Sequence, residues 1–111
     1  AAPAEPAERT IARFAGWSFD TGRHALTAPD GREIALSAAE AGLLATMLRR
    51  PNKILSREQL LGERDVDPFD RSIDVRISRL RRKLDDDPHN PRLIKTVYGA
   101  GYLLSAQVGW E

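Results

Sequence analysis

An α+β fold, with a small antiparallel sheet first, three helices next and a hairpin last, is what this sequence predicts, on three observations. Short apolar runs between residues 11 and 36 are separated by turn-forming residues. Ser37 and Ser56 each stand three residues ahead of a Glu or Gln at the head of an apolar run. Residues 71–84, RSIDVRISRLRRKL, set apolar side chains at helical spacing against a dense group of cations. Period two marks strands and period 3.6 marks helices, so the order of these signals is the order of the elements.

Residues 1–9, AAPAEPAER, hold no aromatic or β-branched side chain and read as the remnant of an interdomain linker. The domain proper is expected over residues 10–106, with 107–111 as a C-terminal tail. Strand candidates follow at residues 11–14, 17–19, 24–27 and 32–36. Ala15-Gly16, Asp20-Thr21-Gly22 and Pro29-Asp30-Gly31 divide them. These make a four-stranded antiparallel meander in which Phe14, Trp17, Phe19 and Leu26 supply the core face.

Ser37 with Glu40 forms a capping box that opens a helix through Leu43, Leu44, Met47 and Leu48, ending before Pro51. Ser56 with Gln59 repeats the device for a shorter helix through Leu60 and Leu61, closed by Gly62. Between them residues 53–55 have room only for a short extended bridge. Asp67 or Asp70 caps the third helix, which Asp85-Asp86-Asp87 stops near Leu84 because anions oppose the negative end of the helix dipole. Residues 93–97 and 102–104 flank Tyr98-Gly99-Ala100-Gly101 and read as a hairpin, the two glycines serving as turn residues with positive φ.

In the third helix Ile73, Ile77, Leu80 and Leu84 share one side. Arg71, Ser72, Val75, Arg76, Ser78, Arg79, Arg82 and Lys83 fill the remaining arc. Six cations against Asp74 make this one helix strongly positive, while the whole chain of 111 residues carries only +1. The rest of the protein is therefore net acidic, and the positive surface is concentrated as in a steered binder of a polyanion. A solvated face conferring solubility is the plainer alternative. Against it, Val75 lies mid-arc, where a thymine methyl would accept it, and Ser72 and Ser78 are short enough to allow close approach to base edges. Strands, three helices with the basic one last, then a hairpin describe a winged helix-turn-helix, whose third helix enters the major groove.

The residues resemble the OmpR/PhoB-type winged-helix effector domains of bacterial two-component response regulators. The likeness runs from about Phe14 to Leu104. It rests on Arg71-Ser72-Ile73-Asp74-Val75-x-Ile77-x-x-Leu80-Arg81-x-Lys83-Leu84 and on Thr96-Val97-x-Gly99-x-Gly101-Tyr102. Leu36-Ser37-x-x-Glu40 with Leu43-Leu44, and Ser56-Arg57-Glu58-Gln59-Leu60, support it. The resemblance implies a four-stranded N-terminal sheet, three helices, a C-terminal β-hairpin wing, and binding to direct repeats in double-stranded DNA. It further implies an N-terminal receiver domain in the parent protein, a cognate histidine kinase, and contact with RNA polymerase through the loop at residues 62–70. Two positions depart from the family pattern: Arg76 where histidine is common, which still serves a phosphate, and Tyr98 where arginine is common at the wing. Tyrosine adds no charge, so the third helix is expected to carry most of the electrostatic affinity.

On this reading Val75 and Arg79 are the base contacts, since arginine pairs with guanine and valine touches a thymine methyl. Arg71, Arg76, Ser78, Arg82 and Lys83 meet phosphates, with Ser72 beside the bases and Arg57 and Tyr98 adding backbone contacts. Asp74 and Arg81, beside the apolar stripe, are expected in structural ion pairs, and Tyr102 in packing the hairpin onto the helices. About five to seven neutralised phosphates would give a log–log salt slope of about −4 to −6.

Other classes fit less well. No cysteine is present, which excludes disulfides and thiolate chemistry. His24 and His89 lack ligand-spaced neighbours, no zinc, nucleotide-loop or hydrolase motif occurs, and no acid, base and nucleophile cluster. Neither an enzyme nor a cofactor or metal is expected. No apolar run approaches the ~20 residues of a membrane span, and a soluble, cytoplasmic protein is expected. Two alternatives stay open: the effector domain of a one-component or membrane-anchored regulator of the same fold, and a winged-helix module that meets an acidic protein.

Overall fold

The computed structural model describes residues 10–61, 72–87 and 89–111. The predicted Gly62 helix stop, the Asp67 or Asp70 cap, the 62–70 loop and Arg71 lie outside the described residues.

Four strands open the chain: β1 (Ile11–Phe14), β2 (Trp17–Asp20), β3 (Ala25–Thr27) and β4 (Glu33–Ala35). They pair as the antiparallel meander that the turn signals predict. Ala15 and Gly16 both take positive φ, 49° and 83°, so β1 and β2 are joined by a two-residue loop whose twist matches the strands. Helix α1 (Ala38–Arg49) begins at Ser37, where the Ser37 hydroxyl accepts from the Glu40 N–H and the Glu40 carboxylate accepts from the Ser37 N–H. The same reciprocal pair, Ser56 with Gln59, opens α2 (Arg57–Leu61).

Helix α3 (Ser72–Lys83) ends where Asp85 adopts φ 54°. There the Asp86 N–H donates to the Arg81 carbonyl and the Asp85 N–H to the Arg82 carbonyl, closing the last turn with a Schellman pair. Asp86 itself is buried, and its carboxylate accepts the backbone N–H groups of Arg92, Leu93 and Ile94. The acidic run that reads as a helix stop thus also anchors the strand that follows.

Strands β5 (Ile54–Leu55), β6 (Ile94–Val97) and β7 (Gly101–Leu104) form a second sheet in the order β5-β7-β6. Residues 53–55 therefore supply a real strand. The residues expected as a tail do likewise: β8 (Val108–Trp110) pairs antiparallel with β1 and completes a five-stranded sheet rather than a four-stranded one. Arg13 bonds Glu111 across that seam, and the Arg49 guanidinium lies 5.5 Å from the Trp110 ring centroid. The return of the chain to β1 locks the hairpin sheet to the N-terminal sheet through one short connection.

Phe14, Trp17, Phe19 and Leu26 from the sheet meet Leu44, Met47 and Leu48 of α1 and Ile73, Ile77 and Leu80 of α3 in one core. Burying these side chains contributes roughly 1.5–3 kcal/mol each. It also fixes the rotation of α3, so that the opposite arc faces out.

Gly101 is a strand residue and not part of the turn. Its φ is 146°, and a Cβ there would stand 2.0 Å from the Leu55 carbonyl oxygen, so glycine is required by the close approach of β5. Gly99, at φ 81°, is the glycine that the turn needs.

Candidate nucleic-acid interface

With Ile73, Ile77, Leu80 and Leu84 buried, α3 turns Val75, Ser78, Arg79 and Arg82 outward. Val75 is 45% exposed, an apolar side chain left open at the middle of a cationic strip. Arg79 and Arg82 are exposed and make no side-chain hydrogen bond or ion pair with any described residue. Ser72 and Ser78 sit half-buried at the edges of the strip. Tyr98, at the hairpin tip, is 93% exposed. Cations and an apolar group of this kind, held on a helix with no partner among the described residues, suit a surface that is itself charged and carries methyl groups in a groove.

The flanks of α3 differ from the sequence reading. Lys83, expected on a phosphate, donates from Nζ to Glu40 Oε1 at 2.7 Å and to the Ala35 carbonyl at 3.2 Å. Burial alone would raise the Glu40 carboxyl, but the Lys83 ammonium and the Ser37 N–H outweigh it and hold the carboxyl below its usual value. Arg57, also expected on a phosphate, is held by Asp74, its Nη2 lying 3.0 and 2.9 Å from the two carboxylate oxygens. Arg76 lies on a shoulder, lining a depression of about 290 Å³ between α1 and α2 with Gly42, Gln59 and Leu61. It is half-buried, and no described residue pairs with it.

Asp74 makes the structural ion pair expected of it, and also accepts the Tyr102 hydroxyl. Burial first, and then that hydrogen bond, push the Tyr102 phenol up to about 12. Arg81 takes a different partner from the one expected. Instead of a carboxylate it donates to the Ile94 carbonyl and to Thr96 Oγ1, with its guanidinium 5.8 Å from the Tyr102 ring centroid. The residues missed as structural are therefore Arg57 and Lys83, and Glu40, foreseen as a capping residue, takes Lys83 as an unforeseen second partner. Their one signal in the sequence is the wheel position of Lys83, at the border of the apolar stripe rather than opposite it.

Among the described residues no group of His, Asp or Glu side chains has metal-site geometry, and no helix is long and apolar enough to cross a membrane.

Residues 31–104 match the family described as transcriptional regulatory protein, C terminal. Regulatory protein VirG of Agrobacterium fabrum is 47% identical over 104 residues, which is 91% of this chain and 41% of VirG. Transcriptional regulatory protein AruR of Pseudomonas aeruginosa is 45% identical over 108 residues, 95% of this chain and 44% of AruR. The chain thus spans about two fifths of the length of the curated relatives it matches. Among solved structures, the Klebsiella pneumoniae RstA DNA-binding domain in complex with the RstA box superimposes with a TM-score of 0.78 at 35% identity, over 86% of this chain and 96% of that one. The DNA-binding domain of CpxR from E. coli gives 0.74 at 34% identity, over 87% and 98%. By sequence match and by fold, this chain belongs to the OmpR/PhoB-type family of winged-helix, DNA-binding transcriptional regulatory domains.

Proposed function

We propose that this chain is the effector end of a cytoplasmic response regulator that binds double-stranded DNA in a sequence-specific manner and thereby controls transcription. The observation that carries the proposal is the strip on α3: Val75, Arg79 and Arg82 project outward, and the two arginines have no partner among the described residues, whereas Arg57, Arg81 and Lys83 are held within the protein. Val75 and Arg79 at the centre of the strip read bases in the major groove. Arg76, Ser78, Arg82 and Arg71 position the helix on phosphates, and Tyr98 reaches the backbone from the hairpin. Ser72 lies at the edge of the base-reading strip.

The parent protein would carry an N-terminal receiver domain phosphorylated by a cognate histidine kinase, and the 62–70 loop would meet RNA polymerase. The 41% coverage of VirG leaves room for that receiver. Nothing in the reading calls for a cofactor or for enzymatic activity.

Selection of bound duplexes from a random pool, followed by salt titration of the selected site, tests the proposal. With Arg57 and Lys83 engaged elsewhere, roughly three to five phosphates are neutralised and log affinity falls with log salt at a slope of about −3 to −4.5. Arg79→Ala is expected to relax preference at one base position at a cost on the order of 1–3 kcal/mol. Failure to enrich any sequence, or binding that ignores salt, refutes it.

A further inference from the structure

The flank of α3 away from Lys83 is fastened to the hairpin at two points. Asp74, near the start of α3, accepts the Tyr102 hydroxyl from β7 while holding Arg57 of α2. Arg81, about two turns further along, grips β6 through the Ile94 carbonyl at 3.0 and 2.7 Å and through Thr96 Oγ1 at 2.8 Å. Thr96 and Tyr102 face each other directly across β6 and β7. Both fasteners therefore act on the same rung of the hairpin, and the Arg81 guanidinium lies over the Tyr102 ring between them.

Apolar packing alone would not do this. Ile94, Leu104 and the Tyr102 ring set how deeply the hairpin sits on the helices, but burial is non-directional and leaves sideways sliding cheap. Charge-assisted hydrogen bonds are directional, and two of them spaced along one helix fix both the slide and the tilt of the strands they hold. The exposed tip residue Tyr98 stands just beyond that rung.

We propose that Asp74 and Arg81 are positioning residues for DNA binding, which act through Tyr102 and Thr96 to hold the hairpin at a fixed offset from α3, so that its tip meets the duplex in step with the groove contacts of the helix. The proposal rests on the DNA-binding reading above, and assigns to the two side chains a role separate from touching DNA.

The test uses the intact chain and a selected duplex shortened one base pair at a time from each end. For the unaltered protein, the end at which shortening first weakens binding marks the reach of the tip. Tyr102→Phe keeps the ring and its burial and removes only the hydroxyl. It is expected to bind the long duplex about five- to tenfold more weakly than the unaltered protein, and the shortened duplex equally well to within about twofold. Thr96→Val, at a half-buried site outside the core, is expected to shift binding in the same sense by about two- to threefold, and gives an independent reading should the first variant fold poorly. Equal losses on both duplexes, or no loss on the long one, overturn the proposal while leaving DNA binding intact. Failure of the unaltered protein to bind any duplex removes the DNA-binding reading and this inference with it, and is seen before any variant is made.

Discussion

Replacing Lys83 by methionine separates a structural role from a phosphate contact. Methionine keeps the apolar stem and deletes the ammonium, leaving the Glu40 carboxylate, whose side chain is only 7% exposed, with the Ser37 N–H as its partner. Removing one member of a buried pair costs roughly 3–5 kcal/mol, and because 32% of the Lys83 side chain is open to water the loss here is set at about 2–3 kcal/mol. For a domain of this size that corresponds to a Tm lower by roughly 10–20 °C in thermal unfolding followed by circular dichroism. Lys83→Met combined with Glu40→Gln no longer buries an uncompensated charge, and is expected to recover more than half of that loss. Duplex affinity, measured well below the lowered Tm, is expected to change less than about threefold, against about fivefold or more for Arg79→Ala. If Lys83→Met unfolds with the unaltered protein and loses tenfold in affinity, the ammonium serves a phosphate and the ion-pair argument fails. Acid unfolding offers a second reading of the same pair. The folded Glu40 carboxyl lies below its ordinary value of 4.5, so its contribution is complete above that pH and disappears as pH falls through the folded value. Glu40→Gln is expected to remove that part of the acid limb.

Other variants probe the backbone and the hairpin hub. Ala15→Asn places beside Gly16 a residue that tolerates φ near 50°, and is expected to raise stability by about 0.5–1 kcal/mol in urea unfolding; no gain would mean that the loop is not strained. Gly101→Ala drives a Cβ into the Leu55 carbonyl and is expected to cost on the order of 3–4 kcal/mol, whereas Gly99→Ala, with open space around it, loses closer to 1–2 kcal/mol. The chain has two tyrosines, so in Tyr98→Phe only the Tyr102 phenol remains, and phenolate absorbance is expected to rise near pH 12. Because the folded value lies above the unfolded 10.0, the stability that Tyr102 supplies is complete below pH 10 and is lost as pH climbs toward 12. A midpoint near 10 in the folded protein would mean that neither burial nor the Asp74 hydrogen bond holds the phenol.

Most of the fold was legible because its signals are local. A capping box spans four residues, a two-residue turn carries its own φ demand, and a stripe of Ile73, Ile77, Leu80 and Leu84 announces which face is buried. What escaped the sequence is non-local. Strands β5 and β8 hold two and three residues and exist only because β7 and β1 offer unpaired edges. Gly101 looks like a turn residue until β5 is seen pressing against it. Lys83 finds Glu40 across 43 residues of sequence and Arg57 finds Asp74 across 17, so no helical wheel drawn on one segment could reveal either pair. The exposure of the central arc follows from the buried stripe of its own helix, whereas the partners of the flanks come from other elements.

That division changes how the positive helix should be understood. Of the six cations along residues 71–84, Lys83, expected on the outward face, neutralises Glu40, and Arg81, expected beside the apolar stripe, braces the hairpin. Arg76, Arg79 and Arg82 remain without internal partners among the described residues. Fewer phosphate contacts lower the sequence-independent part of binding, which scales with the number of counterions released, and leave the base contacts untouched. On the proposed reading, a helix that turns two of its cations inward gives up affinity for any duplex while keeping what Val75 and Arg79 would contribute at a chosen one. On that reading the inward contacts of Lys83 and Arg81 raise the ratio of specific to non-specific binding.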